Sequence, residues 1–430
     1  MSAKLWDKGG VSDTEMMRYT ARDDWQLDQR LLPFDLRATR AHVRGLARIG
    51  LVNADELARL EAGLDELDAR CAVGEFRVTP ADEDCHSAIE TALVATLGEA
   101  GKKVHTGRSR NDQVLVALRL YEKHALATLA EATTTGALAL LELAASEAMT
   151  PMPGYTHLQR AVPSSIGLWA AGIAESLADA LDAIHAASAQ CDRCPLGTAA
   201  GYGVNIALDR DGVAAELGFA SICVNPVAAQ ASRGSVEVAV LTAAWQAMTA
   251  IRRFAWDLSL FTTAEFAFVK LDEALTTGSS IMPNKRNPDV VELMRAACGV
   301  LQGAIAELMG MLSLPSGYQR DLQLTKAPLF RGLDEALATT RMLPRVVAGM
   351  TFDRERMRRA LTPDCFATDR AVELALAGVP FRDAYRQVAK EIASLAEGDA
   401  DRSLAARTSP GACGDLRLGD IRARFTASAG

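Results

Sequence analysis

Apolar residues recur at helical spacing along most of this chain, and a clear short example lies in residues 53–70. Four leucines of this segment are three or four positions apart: Leu57, Leu60, Leu64 and Leu67. That spacing places them on one face of an α-helix. Asn53 precedes them and can cap the free backbone N–H groups of the first turn. We therefore predict an amphipathic helix over this segment.

Longer segments of the same kind occupy the middle of the chain. They are rich in Ala, Leu and Val and cover residues 113–149, 164–190, 235–261 and 288–312. A straight helix over the first of them would be roughly 50 Å long. Such helices can bury their apolar faces only against one another or against other copies of the chain. The pattern predicts an all-α protein built on an oligomeric bundle of long helices.

Shorter helices and turns flank the predicted bundle, so the chain divides into three regions. We predict an amino-terminal helical region over 1–107, a long-helix domain over 108–355 and a small helical region over 356–430. Strands do not alternate with helices, and no glycine-rich nucleotide-binding motif is present. A nucleotide-binding α/β fold is therefore not expected, and we expect no cofactor.

Composition agrees with this pattern and narrows the function. Hydrophobic residues make up 49% of the 430 residues, aromatic residues 5%, and the formal net charge is −8. This balance favours helices and argues against general nucleic-acid binding, which needs a basic face. No apolar run approaches the roughly 20 residues of a membrane-spanning helix. The amino terminus lacks an apolar signal core, so we expect a cytoplasmic protein.

Eight cysteines do not suggest a disulfide framework in a chain of this length. Cys191 and Cys194 form a C-x-x-C pair, which in other proteins holds zinc or takes part in redox chemistry. No second pair and no histidine cluster accompanies it. We therefore expect reduced thiols and no metal site.

Polar residues gather where long helices are predicted to begin or end. These clusters lie in the opening stretch, at 81–90 with 105–113, at 152–165 and at 314–326. Ser, Thr, Asp and Asn have an ordinary explanation there, since they cap helix ends. Caps do not require cations, however, because helix starts are already electropositive. Added cations such as Arg108, Arg110, Lys285 and Arg286 indicate a pocket for a dicarboxylate or a phosphate.

The segment 276–295 combines flexible and rigid residues in an unusual order. Gly278, Ser279 and Ser280 are followed by a basic turn with two prolines, and Pro288 suits the first turn of a new helix. A surface linker is the ordinary interpretation. A loop that closes over substrate explains the segment better, because closure and nearby positive charge would let a serine act as a base.

Such a pocket suits one kind of chemistry. A base removes a weakly acidic C–H proton next to a carboxylate, and cations and amides stabilise the dianion that forms. An acid then protonates the leaving group. His157, with Thr156 and Gln159 beside it, is a candidate for handling these protons.

The text "GSSIMPNKRNP" at 278–288 resembles the signature of the fumarase/aspartase superfamily, whose members release fumarate from succinyl compounds. Three other segments resemble the argininosuccinate lyase family within it, namely "TGRSRNDQ" (106–113), "PGYTHLQRA" (153–161) and "LPSGYQRDLQ" (314–323). The similarity extends from Leu5 to Tyr385. It implies cleavage of argininosuccinate to arginine and fumarate, in homotetramers whose active sites each draw on three chains.

The resemblance also implies a role for each matching residue. Ser279 is the base that takes the Cβ proton, and His157, paired with Glu292, assists proton transfer near the leaving nitrogen. Lys285 and Asn287 hold the carboxylate as it becomes enolate-like. The remaining residues bind the succinyl half (Ser109, Arg110, Asn111 and Thr156) or line the rest of the substrate site (Tyr318, Gln323 and Lys326).

Two segments depart from the family pattern. Many relatives have Thr-Ala-Ser near the amino terminus, where this chain has Arg22 and Asp23 within "YTARDDWQLD" (19–28). We predict that Asp23 replaces the serine contact with substrate. The segment "AAQASRGSVE" (228–237) keeps Arg233 but lacks the usual acidic neighbours. The carboxy-terminal region is also short.

Two alternatives to argininosuccinate cleavage remain at this stage. A sibling lyase would release fumarate from another N-succinyl compound, and the altered amino-terminal stretch is its only support. A homologue without catalysis should have lost one of Ser279, His157, Lys285 or Asn287, and all four are present.

Overall fold

The computed structural model describes residues 14–426, and helices dominate this part of the chain. The helices are α1 Thr14–Ala21, α2 Asp24–Leu27, α3 Leu32–Arg48, α4 Ala54–Ala72, α5 Cys85–Leu97, α6 Glu99–Lys102, α7 Arg110–Ser146, α8 Ile166–Cys191, α9 Arg210–Glu216, α10 Pro226–Ala231, α11 Ser235–Phe261, α12 Asp289–Gly310, α13 Lys326–Ala348, α14 Arg354–Arg359, α15 Ala367–Leu376, α16 Phe381–Glu391, α17 Ala400–Ala406 and α18 Leu418–Thr426. The predicted all-α class is confirmed.

The long helices follow the sequence prediction closely, with one addition. Helices α7, α8, α11 and α12 each lie within a few residues of a predicted segment. The fifth, α13, was not predicted, although its buried residues Leu329, Leu333 and Leu343 recur at helical spacing; it contains Pro344, a residue type that normally ends a helix. Within α7, residues 115–118 are buried all round. Among the described helices, α7 alone is long and apolar enough to span a membrane. The core helices of soluble proteins also meet this criterion.

Helix α4 shows how the local sequence sets an element. The Asn53 side chain accepts the Glu56 N–H at 2.9 Å, and the Glu56 carboxylate accepts the Asn53 N–H at 3.1 Å. This reciprocal capping box satisfies two N–H groups that the first turn leaves free. Leu60, Leu64 and Leu67 are buried on one face. The predicted helix and its cap are both confirmed.

The residues group into two compact units. Within the described residues, the first comprises 14–128, 184–242 and 303–333, and the second comprises 129–183, 243–302 and 334–426. These units are discontinuous in sequence, whereas the predicted regions 1–107, 108–355 and 356–430 are continuous. The three-region division stays a prediction, and its first 13 residues lie outside the described part.

Each unit packs its helices closely through small residues. In the first unit, a Cβ on Gly332 would lie 2.8 Å from a methyl carbon of Leu241, so α13 and α11 approach closely at this glycine. In the second unit, a Cβ on Gly136 would lie 2.8 Å from Leu343, which brings α7 and α13 together in the same way. At distances this short, the facing leucine would have to move to admit a larger residue.

Six short strands form three two-stranded sheets in residues 14–426. They are β1 Pro151–Thr156 with β2 Gln159–Ser165, β3 Arg193–Cys194 with β4 Ser221–Ile222, and β5 Val269–Leu271 with β6 Met350–Phe352. The β1–β2 hairpin was not predicted, since prolines and polar residues obscure its alternation. His157 and Leu158 form its turn with φ of +54° and +59°. Positive φ at both central residues is typical of a type I′ turn.

Candidate active site

The first unit contains a polar pocket of about 120 Å³. Its lining includes Asp24, Asp28, Asp84, His86, Arg110, Asn111, Arg233, Tyr318, Gln323 and Lys326. A wider cavity of about 680 Å³ is lined by some of the same residues, with Ser109, Glu83 and Arg108 among its further members. Six predicted site residues thus lie at these two cavities: Ser109, Arg110, Asn111, Tyr318, Gln323 and Lys326.

Lys326 begins α13 and places its ammonium group between two carboxylates. Its Nζ lies 2.5 Å from Oδ1 of Asp28 and 2.8 Å from Oδ1 of Asp24. Burial opposes the charged form of Lys326, but Asp28 and Asp24 outweigh that effect and raise the pKa of the ammonium. Asp28 also accepts the backbone N–H of Cys85 at 3.2 Å, so it is held from two sides. The pocket therefore contains a permanently charged lysine.

Asp24 lines the polar pocket, whereas the predicted residue Asp23 does not. The Asp23 side chain is exposed and makes no cap hydrogen bond, although its backbone carbonyl accepts two N–H groups of α2. Burial raises the pKa of Asp24, and Lys326 opposes the shift. The role of Asp23 stays a prediction, and the geometry favours its neighbour.

The start of α7 carries three of the four predicted succinyl-binding residues, Ser109, Arg110 and Asn111. Arg110 contacts Asp84, and Asp84 also caps α5 by accepting the Ser87 N–H at 2.8 Å. Burial opposes ionisation of Asp84, but His86 and Arg110 outweigh it and lower the pKa of the carboxyl. The Ser109 hydroxyl accepts the Asn111 N–H at 3.2 Å. Arg110 is thus held at the cavity wall by an ionised acid.

His86 is a pocket residue that sequence reasoning did not select. Its Nδ1 lies 2.6 Å from Oδ2 of Asp35, and both side chains are buried. Burial opposes the charged form of His86, but Asp35 outweighs it and raises the pKa of the imidazole. Its Nε2 has no hydrogen-bond partner among residues 14–426. The polar cluster 81–90 was the available signal, since it contains this histidine.

The segment 314–326 anchors the amino-terminal stretch beside the pocket. The Gln323 side-chain amide donates to the carbonyl of Thr20 at 2.8 Å, and Arg320 donates to the same carbonyl at 3.0 Å. Tyr318 faces Arg233, whose guanidinium carbon lies 5.8 Å from the ring centre. Arg233 was noted in the sequence without a role, and it is a buried cation of the pocket.

The predicted residues of the second unit lie on a hairpin, a loop and a helix. Thr156 and His157 are exposed at the β1–β2 turn, and Glu292 is exposed in the first turn of α12. Within the described part of this chain, no hydrogen bond or ion pair joins His157, Glu292 and Ser279; Glu292 lies 3.9 Å from Arg295. The predicted His157–Glu292 pair stays a prediction, and the expected shared site would form it between chains.

The loop that carries Ser279 is closed at its base. Thr277 and Asn287 exchange two backbone hydrogen bonds of 3.0 and 2.8 Å, and the Asn287 amide donates to Gly278 O at 3.3 Å. The Ser279 Oγ accepts the N–H groups of Ile281 at 3.3 Å and Met282 at 3.1 Å. Donors aimed at a hydroxyl oxygen favour its ionised form. This arrangement suits a serine that acts as a base.

Among the described residues, one group could in principle bind a metal ion: Asp28, Cys85 and His86. Their potential ligand atoms lie within 4.8 Å of one another. Asp28 already binds the Lys326 ammonium, and His86 already binds Asp35. Burial and the nearby carboxylates raise the pKa of the Cys85 thiol well above its usual range, which disfavours the thiolate that metals bind. The donor set therefore favours an ion-pair network over a metal site.

The fold and this polar site define a class of protein. A family model described as Lyase matches residues 9–303, and the chain belongs to that lyase family. A crystal structure of EDDS lyase in complex with formate is similar, with a TM-score of 0.82, 26% identity and coverage of 97% of this chain and 91% of that chain. A class II fumarase from Schistosoma mansoni shares the fold, with a TM-score of 0.75, 17% identity and coverage of 94% and 89%.

Curated relatives narrow the family further. The argininosuccinate lyase of Sorangium cellulosum is 67% identical over 425 residues, which cover 99% of each chain. The argininosuccinate lyase of Xanthomonas campestris pv. campestris (strain B100) is 49% identical over 429 residues, 99% of this chain and 100% of that one. The chain is therefore a member of the argininosuccinate lyase family.

Proposed function

We propose that this protein is a carbon–nitrogen lyase that cleaves L-argininosuccinate reversibly to L-arginine and fumarate, a step of arginine biosynthesis. The full-length identity to the Sorangium enzyme carries this proposal. The polar pocket supports it, because Lys326, Arg110 and Arg233 line it and suit an anionic substrate. The acids Asp24, Asp28 and Asp84 balance these cations and offer partners for the amino and guanidinium groups of the arginine half.

Two sets of residues take part in the elimination: one removes the proton and stabilises the resulting charge, and the other protonates the leaving group. Ser279 takes the Cβ proton, while Lys285 and Asn287 stabilise the carboxylate as the carbanion's charge spreads onto it. The C–N bond then breaks, and the leaving guanidino nitrogen gains a proton with help from His157 and Glu292. The double bond that forms belongs to fumarate. Ser109, Arg110, Asn111 and Thr156 hold the succinyl half, and Tyr318, Gln323 and Lys326 line the remainder.

A homotetramer with shared active sites is part of this proposal. Helix α12 exposes apolar residues on one face, where Leu293 is 70% accessible and Val300, seven positions later, is 36% accessible. A Cβ on Gly299 or Gly303 would meet nothing within 4 Å, so this face is smooth as well as apolar. Small and apolar residues along one helix allow close packing by another helix. We place the enzyme in the cytoplasm, with no nucleic-acid or membrane partner.

The substrate is tested by the absorbance of released fumarate. The purified protein is offered argininosuccinate, adenylosuccinate, aspartate and malate in separate assays. Turnover of argininosuccinate alone is expected. Preference for another N-succinyl compound would support the sibling lyase, and no turnover of any substrate would contradict the lyase assignment.

The base is tested by Ser279→Ala. This variant should keep the fold and substrate binding but lose most turnover, because only the proton acceptor is removed. If kcat stays above about a tenth of the wild-type value, less than roughly 1.4 kcal/mol of the barrier depends on this hydroxyl, and the assignment is wrong.

A further inference from the structure

A buried ionic triad lies beside the pocket, outside the groups assigned to the reaction. Arg119 of α7 is 2% exposed, and its Nη1 lies 2.7 Å from the Glu122 carboxylate and 3.7 Å from that of Glu237 in α11. Both glutamates are fully buried. The thiol of Cys191 donates to Glu122 at 3.6 Å. A buried network of this kind contributes little to net stability, so its value lies in what it orients.

The triad holds the chain on both sides of Arg233. On the amino-terminal side, Nη2 of Arg119 donates to the Ser232 carbonyl at 3.2 Å and to its hydroxyl at 3.0 Å. On the carboxy-terminal side, the Gly234 N–H donates to the Glu237 carboxylate at 2.7 Å. Each residue next to Arg233 is therefore bonded to a member of the triad.

The turn itself requires this support. Gly234 has φ of +86°, and a Cβ there would lie 2.1 Å from a methyl carbon of Leu312, so only glycine fits. Glycine leaves the backbone free to adopt other conformations. An external clamp is needed to fix a single direction for the side chain before it.

Arg233 forms no salt bridge among residues 14–426, although Asp24 in the same pocket interacts with its charge, and its Nε lies buried without a hydrogen bond. Its guanidinium lies over Tyr318 and lines the polar pocket beside Lys326. A buried guanidinium that is held by no direct salt bridge can form charge-assisted hydrogen bonds with the carboxylate of a ligand. Its direction therefore matters for anion binding.

We propose that Arg119, clamped by Glu122 and Glu237, is a positioning residue that directs Arg233 at the substrate carboxylate. This rests on the proposed function, because the carboxylate belongs to the succinyl half. Arg119 touches neither the pocket nor the reacting atoms, and its effect passes through the turn at 232–234.

A double-mutant cycle separates positioning from general packing. Arg119→Lys keeps a cation for both glutamates but cannot also reach the two Ser232 acceptors. We expect it to raise KM about tenfold with little change in kcat, as expected when hydrogen bonds to a charged group are lost. In an Arg233→Met background the same change should have less than about a twofold further effect, because the group it positions is gone.

Ser232→Ala is the second variant, in case Arg119→Lys folds poorly, and it should raise KM in the same direction. Ser259→Ala is the matched control, because among residues 14–426 that hydroxyl donates only to Ala255 O of its own helix. Circular dichroism checks the fold of each protein. A wild-type KM in folded Arg119→Lys and Ser232→Ala would overturn the proposal, as would an undiminished effect in the Arg233→Met background.

Hydrogen exchange gives a reading that does not depend on activity. Arg119→Lys should speed exchange of the amides at 232–236, including the Gly234 N–H that Glu237 protects. If the wild-type protein releases no fumarate, the proposed function fails, yet faster exchange still shows that Arg119 holds the turn. Unchanged exchange in this segment overturns the positioning role.

Discussion

At the residue scale, two adjacent aspartates offer a matched comparison. Asp24 contacts Lys326 at 2.8 Å and lines the pocket, whereas Asp23 is exposed outside it. We expect Asp24→Asn to lower kcat/KM about tenfold, because a charge-assisted contact in the site is lost. Asp23→Asn should stay within about twofold of wild type, as a surface change does. Steady-state assays with argininosuccinate show which aspartate contributes to substrate binding. A larger loss of kcat/KM for Asp23→Asn would support the prediction from sequence that Asp23 contacts the substrate.

Glu122 supplies a residue-scale prediction about pH. Burial raises the pKa of this carboxyl to about 7; Arg119 opposes the shift and Glu237 adds to it. In the unfolded chain the pKa is about 4.3. The folded state therefore keeps a proton that the unfolded chain releases between these values, so stability falls as pH rises through this window.

The measurement is the thermal unfolding midpoint of wild type and Glu122→Gln. The amide cannot ionise, so this contribution disappears in the variant. The midpoint of wild type minus that of the variant should be lower at about pH 8 than at about pH 5. A difference that is constant, or that grows with pH, would contradict the assignment of the titration to Glu122.

At the element scale, the loop 278–286 gives two neighbouring cations, Lys285 and Arg286, different surroundings. The Arg286 guanidinium lies 2.8 Å from the Glu273 carboxylate. Because it already has this partner, we assign Arg286 no role in substrate binding. Lys285 has no carboxylate partner among the described residues. Lys285→Met should therefore reduce kcat/KM by about a hundredfold, as loss of a group that stabilises transition-state charge does. Arg286→Met should cost far less, and equal losses would show that the turn acts only as a diffuse positive field.

Elements differ in how far their own sequence determines them. Helix α4 follows from its leucine spacing and the Asn53 cap, which are local signals. Helix α13 has a similar apolar stripe that includes Leu329 and Leu333, but the local signal is mixed because Pro344 lies inside the helix. The hairpin at 151–165 escaped prediction since its turn depends on positive φ at His157 and Leu158, residues that rarely adopt it.

The same distinction holds for the site. Arg110, Lys326 and Gln323, which line the polar pocket, were selected from the sequence because they lie in or beside continuous polar motifs. Asp24 and His86 were missed because their partners are distant, Lys326 for the first and Asp35 for the second. The sequence shows that acids and a histidine are present in the clusters, but only the fold shows which of them face the lysine.

At the scale of the whole molecule, shared active sites predict complementation between inactive variants. His157→Asn and Ser279→Ala proteins should each be nearly inactive alone. If one site takes these residues from different chains, mixed oligomers contain some sites with both intact. After dissociation and reassembly in equal amounts, roughly a quarter of wild-type activity should return, as random assortment in a symmetric oligomer requires.

Subunit exchange is verified first, by mixing two differently tagged copies and isolating oligomers that carry both tags. A mixture of two Ser279→Ala preparations is the control and should stay inactive. Exchange without recovered activity would mean that both residues come from one chain, which removes the reason for a shared site.

The pair formed by Lys326 and Asp28 also has a consequence for biosynthesis. The two residues are 298 positions apart, so at about 5–20 residues per second roughly 15 to 60 s pass on the ribosome between their appearance. During that interval Asp24 and Asp28 lack their ammonium partner, so burying both carboxylates between the amino-terminal helices would be costly. We therefore expect this part of the nascent chain to stay hydrated until α13 begins to emerge. The amino-terminal side of the pocket is synthesised first, but it can close only after α13 has supplied Lys326.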